Sequence, residues 1–480
     1  MSVERQFTKG VAWMAAGNWT EQAVNFVLFV LLARLLGAEV FGLAAMAAAF
    51  VLLSEFLVRE SLSEILIAKD APEPGHFNAA FWLLSGLGAL LTLALVLCSG
   101  LIGAFYGHPV VGNLMIGFSP TVLLIAFTAV PVAILRRALK FKVLSLRALA
   151  GVVVGGIVGL GMAWAGYGAW ALVGQRLAQV GTNVVMAWGA VDWRPSMGFE
   201  RRHARDVLGF GSKVLGLRAA ELVSTQTPII IIGRTLGAAS LGQFAIAWRL
   251  IEIGSFLIVT PLRMVAQPAF AAITRAGENP AKLLGDIGRI SSLAAFPAFV
   301  GLAVLATPAV RVLFGQGWGD AAGVLNILAL VGIYFCIEKV QQAFCLAAGQ
   351  AGRLTALAWV EALVGVVIIW AASGWGLAGV SAAFVLRYLL LWPFRFRIVA
   401  AIGSTSITAL AGVFVLPAML SAAMGGAVWA VLQAASGANA PVLVILGALT
   451  GLVVFSLGTL LIMRDRIALA RRYLAGTTGV

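Results

Sequence analysis

The chain contains fourteen long apolar stretches separated by short polar segments, and no other feature constrains its fold as strongly. A helix needs about 20 mostly apolar residues to cross the hydrocarbon core of a bilayer, and each stretch approaches or exceeds that length. The sequence therefore predicts an all-α integral membrane protein with fourteen transmembrane spans. The spans cover residues 11–36, 40–58, 77–103, 113–135, 148–165, 168–191, 214–233, 241–262, 290–310, 322–348, 355–373, 376–394, 407–425 and 441–463.

The positively charged residues lie almost entirely in alternate connections between the spans. The N-terminal segment, the even-numbered connections and the C-terminal tail hold 25 of the 33 Lys and Arg residues. The odd-numbered connections hold only Arg34, Arg234 and Arg311, and the other five lie inside spans. Cytoplasmic connections retain Lys and Arg, so both termini are predicted to face the cytoplasm. An error of one span would destroy the alternation, which supports the count of fourteen.

Composition argues against several classes of function. The chain is 61% hydrophobic with a mean hydropathy of +1.01, whereas a soluble domain is about 45–50% apolar. The net charge of +14 follows from the basic cytoplasmic connections and does not indicate a nucleic-acid partner. The three cysteines and three histidines show no metal-ligand spacing, and the sequence contains neither an ATP-binding phosphate loop nor a nucleophile–base set. We therefore expect no enzyme activity, no metal and no cofactor.

The sequence repeats itself at an offset of about 200 residues. The segment at 34–42, RLLGAEVFG, matches the segment at 234–242, RTLGAASLG, at five of nine positions. At an offset of 208, Phe105-Tyr-Gly107 matches Leu313-Phe-Gly315, and Gly166-Tyr-Gly168 matches Gly374-Trp-Gly376. Parallel repeats of this kind are a transporter design. Two pseudo-symmetric six-helix lobes around a central cavity are predicted, with domains at 1–195 (spans 1–6), 196–213 (a cytoplasmic amphipathic linker), 214–400 (spans 7–12) and 401–480 (spans 13–14 and a basic tail).

The fourteen spans, the 6+6+2 division and the corner Arg34-Leu-Leu-Gly-Ala resemble the polysaccharide transporter branch of the multidrug/oligosaccharidyl-lipid/polysaccharide (MOP) flippase superfamily. The segment PVAILRRALKFK at 131–142 is similar to the Arg-rich turn of its colanic-acid-exporter-like members. The resemblance implies alternating access in a bacterial inner membrane. The implied cargo is an undecaprenyl-diphosphate-linked oligosaccharide repeat unit, moved from the inner to the outer leaflet for exopolysaccharide or O-antigen-type export.

The same resemblance implies the partners of the protein. These are the lipid-diphosphate-linked oligosaccharide, a proton or Na⁺ as coupling ion, membrane lipids, and a polysaccharide polymerase with its export machinery. The alternative within the superfamily is an ion-coupled multidrug exporter. Cations inside the spans count mildly against that alternative, because they would repel cationic drugs.

Ten ionisable residues lie inside predicted spans. Each costs about 2.5–3.5 kcal/mol when it faces lipid at the bilayer centre. Their sum exceeds the net stability of about 5–15 kcal/mol typical of a folded protein, so they are expected to face a hydrated cavity or one another. The ten are Glu21, Arg176, Arg218, Glu221, Arg249, Glu252, Glu338, Lys339, Glu361 and Arg387.

Span 1 and its counterpart in the repeat, span 7, each carry a polar stripe along one helical face. Because the stripe recurs in both copies, we predict that the two faces line the cavity. The alternative is a polar seam that joins neighbouring helices. The stripes consist of Asn18, Glu21, Gln22 and Asn25 on span 1, and of Arg218, Glu221 and Thr225 on span 7.

The in-span cations are the predicted ligands of the diphosphate, since a guanidinium group binds two phosphate oxygens at once. Arg176, Lys339 and Arg387 have no partner three or four residues away along their helices. Arg218 and Arg249 each have a Glu three residues later. Those pairs either neutralise each other, or release the Glu to carry an ion when the substrate binds the Arg.

Gln175, Gln179 and Asn183 lie with Arg176 on one broad face of span 6. These amides either bind sugar hydroxyls or join helices, and the sequence favours neither. The predicted substrate-binding residues are Arg218, Arg249, Lys339, Arg176, Arg387, Asn18, Asn25, Gln175 and Gln179. The predicted ion-coupling residues are Glu21, Glu221, Glu252 and Glu338.

Overall fold

The computed structural model describes residues 3–68, 73–196, 201–276 and 280–474, and side chains in 17–59, 73, 75–196, 216–259, 261–262, 266–276 and 280–462. Throughout these ranges the regular structure is helical, which confirms the all-α prediction. The helices are α1 Val3–Ala68, α2 Pro74–Tyr106, α3 Pro109–Phe118, α4 Pro120–Arg137, α5 Phe141–Trp164, α6 Trp170–Gly189, α7 Arg201–Thr235, α8 Gly237–Arg275, α9 Ala281–Val304, α10 Ala306–Phe314, α11 Gly319–Ala347, α12 Ala351–Ala372, α13 Gly376–Gly403, α14 Ile407–Ala434 and α15 Ala440–Leu474.

The helices follow the predicted spans with three differences. Spans 1 and 2 run together as α1, which changes direction at Gly37. Span 4 is divided into α3 and α4, because a proline begins each helix. Span 9 is divided into α9 and α10.

Among the described residues, ten segments are long and apolar enough to cross a membrane. The segments Gly17–Arg59 and Ala351–Gly403, of 43 and 53 residues, each contain two of the predicted spans. Helices α6 and α7 are not among the ten, and both carry several of the polar residues singled out above. The chain is therefore a multi-pass membrane protein.

The three corners matched in the repeat share one backbone feature. Each corner places a glycine at positive φ, a conformation that other residues adopt only with strain. The two copies therefore share a positive φ at positions recognised from sequence alone, although ψ differs at the second corner, where it is 16° at Gly107 and −169° at Gly315. The pairs are Gly37 (78°) with Gly237 (82°), Gly107 (72°) with Gly315 (91°), and Gly168 (54°) with Gly376 (72°).

The packing divides the chain into two compact units. Unit 1 comprises Met1–Ala245 and Ala358–Val380, and unit 2 comprises Ile246–Leu357 and Ser381–Val480. In unit 1, α1 packs against α4, α5 and α7, and α5 packs along α6. In unit 2, α9 packs against α11 and α14, and α14 packs against α15.

The chain that leaves α6 is fastened to α2. The Asn78 side chain donates to the Ser196 hydroxyl at 2.6 Å and accepts from the Ser196 backbone at 3.2 Å. The Trp82 indole donates to the Ser196 carbonyl at 2.9 Å. Phe81 lies edge-on to both Trp188 and Trp193 beside these bonds. Ser196 is therefore a fixed point at the start of the predicted linker, whose residues 201–213 form the first turns of α7.

Candidate functional site

A cavity of about 520 Å³ lies within unit 1 between α1, α4, α5 and α6. We call it the arginine cavity, because four arginines and a single carboxylate contribute to its lining. Short polar side chains from α1, α5 and α6 complete the polar part of its wall. The polar and charged lining residues are Asn18, Glu21, Arg59, Thr128, Arg136, Ser145, Arg147, Arg176, Gln179 and Asn183.

The charge of the lining suits an anionic group. Guanidinium groups outnumber the carboxylate four to one. Like charges close together in a poorly solvated wall repel strongly, and an anion placed between them relieves that repulsion. Arginine forks match phosphate oxygens in pairs. The cavity is therefore chemically suited to hold a phosphate or diphosphate.

Arg147 on α5 is a lining cation with a buried guanidinium nitrogen. Among the described side chains no carboxylate forms an ion pair with it, although Glu21, Arg59 and Arg136 interact with it electrostatically. Its buried Nε atom has no hydrogen-bond partner within the described residues. The buried Oδ1 of Asn183, also in the lining, has none there either. Buried polar atoms are nearly always satisfied, so these two atoms stand out among the described residues of the lining.

Arg176 is held from behind by Glu55. Glu55 on α1 is 3% exposed, and one of its oxygens accepts a hydrogen bond from the Arg176 guanidinium. Its other oxygen accepts from the Thr121 hydroxyl at 2.8 Å. The Arg176 side chain stays 29% exposed and contributes to the cavity wall. The carboxylate thus orients this cation while leaving part of the guanidinium open to a ligand.

Glycines on α1 and α5 bring the helices of the cavity together. A Cβ on Gly17 would lie 2.5 Å from the Ser145 side chain, so α1 approaches α5 closely there. A Cβ on Gly151 would lie 2.9 Å from the Asn183 Oδ1 atom, so α5 approaches α6 in the same way. The absence of side chains at these positions places the polar face of α6 beside the cavity.

The polar residues predicted on spans 1 and 6 separate into two groups. Asn18, Glu21, Arg176 and Gln179 all line the arginine cavity. Gln175 instead packs against α5, where a Cβ on Gly159 would lie 2.8 Å from its Cβ atom. Asn25 is outside the lining as well. Gln175 therefore joins two helices, whereas sugar binding by Gln179 stays a prediction.

The two predicted Arg–Glu pairs are formed within their helices. Arg218 and Glu221 on α7, in unit 1, lie 3.1 Å apart. Arg249 and Glu252 on α8, in unit 2, lie 3.2 Å apart, and the Trp248 indole also donates to Glu252 at 3.0 Å. All four charged side chains are a quarter or more exposed. None of them lines the arginine cavity.

Glu338 in unit 2 holds two cations. The Lys339 Nζ atom lies 3.1 Å from one of its oxygens, and the Arg395 Nη1 atom lies 3.4 Å from the other. Lys339 has no acidic residue three or four positions away, yet it pairs with the adjacent Glu338. The four-carbon lysine side chain is long enough to reach back to its neighbour.

Arg387 in unit 2 is fully buried, at 0% exposure. Its guanidinium carbon lies 4.1 Å from the ring centroid of Phe384 and 4.3 Å from that of Tyr388. It also donates to the Tyr388 hydroxyl at 2.7 Å. Two aromatic rings therefore contact this cation by cation–π interaction inside the packed core. We call Phe384, Arg387 and Tyr388 the arginine cage.

Several residues of the cavity were not predicted as site residues. Arg59, Arg136 and Arg147 had been assigned to cytoplasmic connections, because they lie at the ends of apolar stretches where topology alone explains a cation. Glu55 lies inside span 2 but was overlooked as an in-span charge. Asn183 had been noted on the Arg176 face without being selected. A local signal was available for Asn183, which lies two turns from Arg176 on the same helix, and for Glu55, which is a charge inside a span. The three arginines come from separate stretches of sequence and join the cavity only through packing.

The sequence matches the model of one protein family. Residues 31–323 match the family described as polysaccharide biosynthesis protein. This match covers more than half of the chain and includes α2 to α10 in full.

Curated relatives with low identity cover most of the chain. It is 24% identical to the succinoglycan biosynthesis transport protein ExoT of Rhizobium meliloti, over 67% of this chain and 65% of that one. It is 23% identical to the teichuronic acid biosynthesis protein TuaB of Bacillus subtilis, over 76% and 81% of the two chains. It is 25% identical to the lipopolysaccharide biosynthesis protein WzxC of Escherichia coli, over 69% and 68%. The chain thus spans slightly less than two thirds of the length of ExoT.

The fold also resembles solved transporter structures. An inward closed structure of the lipid II flippase MurJ aligns with a TM-score of 0.74, at 14% identity, over 95% of this chain and 99% of that one. An inward-facing multidrug MATE transporter of the MOP superfamily aligns with a TM-score of 0.56, at 18% identity, over 85% and 97%. Together with the family match, these likenesses confirm the predicted resemblance. The chain belongs to the polysaccharide biosynthesis protein family.

Proposed function

We propose that the protein moves undecaprenyl-diphosphate-linked oligosaccharide repeat units from the inner to the outer leaflet of a bacterial inner membrane. The product would supply exopolysaccharide or O-antigen-type export. The observation that carries the proposal is the arginine cavity, in which four guanidinium groups surround one carboxylate. A sugar–diphosphate head is too polar to cross lipid unaided, whereas its polyprenyl tail can remain in the bilayer. The protein has to shield only the head.

The cavity offers guanidinium groups, which suit the diphosphate of the head, and neutral polar groups, which suit its sugars. The diphosphate binds Arg147, Arg59 and Arg136, and Arg176 contributes the face that Glu55 leaves open. Neutral amides suit sugar hydroxyls, because they both donate and accept hydrogen bonds. Asn18, Gln179 and Asn183 therefore bind the sugars nearest the diphosphate.

Glu21 gives the cavity a means of ion coupling. It is the single carboxylate in the lining, and it lies where the anionic head would bind. Two negative groups close together repel in a poorly solvated site. A proton or Na⁺ on Glu21 would relieve that repulsion and so favour loading of the substrate. This argument selects Glu21 ahead of Glu221, Glu252 and Glu338, which are each paired with a cation on their own helix.

The supply of substrate and the use of product imply further partners. Glycosyltransferases must build the lipid-linked unit on the cytoplasmic side, and a polysaccharide polymerase with export machinery must consume it on the other side. Membrane lipids surround the helices. A drug-exporting function remains the second candidate, because MATE transporters share the fold. Four cavity arginines would repel cationic drugs, which favours the flippase.

Reconstitution in liposomes tests the proposal. Purified protein should flip a fluorescent undecaprenyl-diphosphate oligosaccharide, as measured by access of a reducing agent to the outer leaflet. A lipid with the same sugars but no phosphate should stay in place, and ethidium should not be transported. Transport of ethidium together with failure to flip the diphosphate lipid would overturn the proposal in favour of the drug exporter.

A further inference from the structure

The turn between α4 and α5 has a counterpart in the second repeat copy, the turn between α11 and α12, at an offset of 210 residues. In the first turn the Leu139 amide donates to the Arg136 carbonyl at 3.1 Å, and the Lys140 amide donates to the Leu135 carbonyl at 3.0 Å. In the second turn the equivalent bonds measure 3.1 and 2.9 Å. The backbone of both turns is therefore closed by the same hydrogen bonds.

The two turns differ in the residue that adopts positive φ. The second copy has Gly349 there, with a φ of 73°, whereas the first copy has Leu139, with a φ of 52°. A side chain at positive φ is strained, and leucine lacks the local hydrogen bonds by which Asn or Asp relieves that strain. Gly349 shows that a glycine closes this turn with the same bonds. The turn itself does not require a leucine, which points to a role for the side chain outside the turn.

The Leu139 side chain is exposed and lies among positive charges in the sequence. Its exposed fraction is 44%. Lys140 and Lys142 beside it are exposed as well, and Arg137 is partly exposed. We call residues 137–142 the basic turn. It combines an apolar side chain with three cations on the surface of unit 1.

The neighbouring sequence supplies no acidic residue to balance these charges. The segment between Glu73 and Asp192 contains neither Asp nor Glu. Among the described side chains, none forms an ion pair with Lys140. The basic turn follows span 4, so the distribution of Lys and Arg predicts that it faces the cytoplasm. Anionic headgroups of the cytoplasmic leaflet attract cations near the membrane surface, so charge and position both favour an anionic lipid as the partner.

We propose that the basic turn binds the headgroup of an anionic phospholipid in the cytoplasmic leaflet. Lys140 and Lys142 contact the phosphate, and the Leu139 side chain enters the boundary between the headgroups and the acyl chains. This leucine favours a lipid over a soluble acidic protein, because the turn joins two membrane-spanning helices and lies close to that boundary. The same helices, α4 and α5, line the arginine cavity, so the bound lipid would hold one edge of its wall at the membrane surface. Lipid binding here does not depend on the proposed function.

Lipid binding to the purified full chain tests this site. The protein in a neutral detergent is titrated with phosphatidylglycerol or with phosphatidylcholine, and bound lipid is counted by native mass spectrometry. The wild-type protein should bind phosphatidylglycerol more tightly. The double variant Lys140→Gln/Lys142→Gln should lose about fivefold of that affinity for each lysine replaced, which is the contribution expected of a cation near an anionic surface. Equal affinity of the wild-type protein for both lipids would overturn the proposal.

Arg353→Gln is the matched control for charge, because Arg353 is an exposed cation beside the counterpart turn of the second copy. The control should keep the wild-type affinity for phosphatidylglycerol. If it lost as much affinity as the double variant, binding would follow net charge and the proposal would be wrong. Undecaprenyl diphosphate and a soluble polyglutamate peptide are titrated in parallel. If the double variant weakened binding of either one but not of phosphatidylglycerol, the turn would bind cargo or an acidic protein, and the proposal would fail.

Leu139→Gly separates lipid contact from a purely structural role of the leucine. The unfolding temperature should stay level or rise, because glycine relieves the strain at positive φ as Gly349 does in the second copy. Affinity for phosphatidylglycerol should fall severalfold. The control is Leu146→Ala, which removes a leucine of similar exposure, 45%, from α5 and should keep the wild-type affinity. A lower unfolding temperature with unchanged affinity would show that Leu139 serves packing alone and would overturn the proposal.

Discussion

Arg176 in unit 1 and Arg387 in unit 2 are similar in sequence but have opposite surroundings. Each lies inside a predicted span without an acidic residue three or four positions away. Arg176 is held by Glu55 and keeps 29% of its side chain exposed at the wall of a cavity. Arg387 is enclosed by Phe384 and Tyr388 at 0% exposure. A cation within the membrane is therefore a binding group only where its neighbours leave part of it open.

The largest effect is expected for removal of the buried cation. Arg387→Ala should lower the free energy of unfolding by roughly 3 kcal/mol or more, because it removes a desolvated cation–π contact and a hydrogen bond to a charged group. Thermal unfolding in detergent measures the loss. The matched control is Arg397→Ala, since Arg397 is exposed and lies 5.9 Å from the Phe394 ring centroid. Equal unfolding temperatures for the two variants would mean that the arginine cage contributes no more stability than the exposed cation–π contact of Arg397.

Removal of a cavity cation should lower flipping activity without lowering stability, in contrast to the loss of stability expected for Arg387→Ala. Arg147→Ala should reduce flipping of the diphosphate lipid by roughly 10–100-fold, since a hydrogen bond to a charged group contributes about 1.5–3 kcal/mol. Its unfolding temperature should stay level or rise, because the variant relieves repulsion from Arg59 and Arg136. The liposome assay and thermal unfolding are measured on the same preparation. Wild-type flipping by this variant would show that the cavity does not bind the head.

Glu55→Gln tests how the carboxylate of Glu55 affects Arg176, the cavity cation that it holds. The amide keeps the size of the side chain but loses the charge that orients Arg176. Stability should fall by about 1–3 kcal/mol, the range expected when a buried charged hydrogen bond is weakened. Binding of the lipid-linked diphosphate should tighten, because Arg176 is released to the ligand. If the variant had both lower stability and weaker binding, the orientation of Arg176 by Glu55 would contribute more to lipid binding than the release of Arg176 from that carboxylate.

The smallest effect is expected at the amide wall. Asn183→Ala removes the buried Oδ1 atom that has no hydrogen-bond partner among the described residues. Stability should change by less than about 1 kcal/mol, since no protein hydrogen bond is lost. Affinity for the oligosaccharide lipid should fall severalfold, while affinity for undecaprenyl diphosphate itself should not change. A parallel loss for both lipids would place Asn183 at the diphosphate rather than at the sugars.

Much of the fold could be predicted because the bilayer imposes strict rules on the sequence. Three features can be read directly from the sequence. They are the length of the spans, the distribution of Lys and Arg, and the glycine at each repeated corner, such as Gly37 and Gly237. The arginine cavity was only partly predicted, since Arg59 and Arg147 come from separate stretches of sequence and meet only after packing. The cage had a local signal, because Phe384 and Tyr388 flank Arg387 within three residues. Its burial depended on the neighbouring helices, which the sequence of one span does not specify.

The attachment of Ser196 to α2 has a mechanical consequence. The chain leaving α6 is bonded to Asn78 and Trp82, so a pull transmitted from α7 through the linker loads α2 first. Helix α2 packs against α4, and α4 carries Arg136 into the cavity wall. Tension on the connection between the repeat copies would therefore reach the wall of the cavity through α2 and α4.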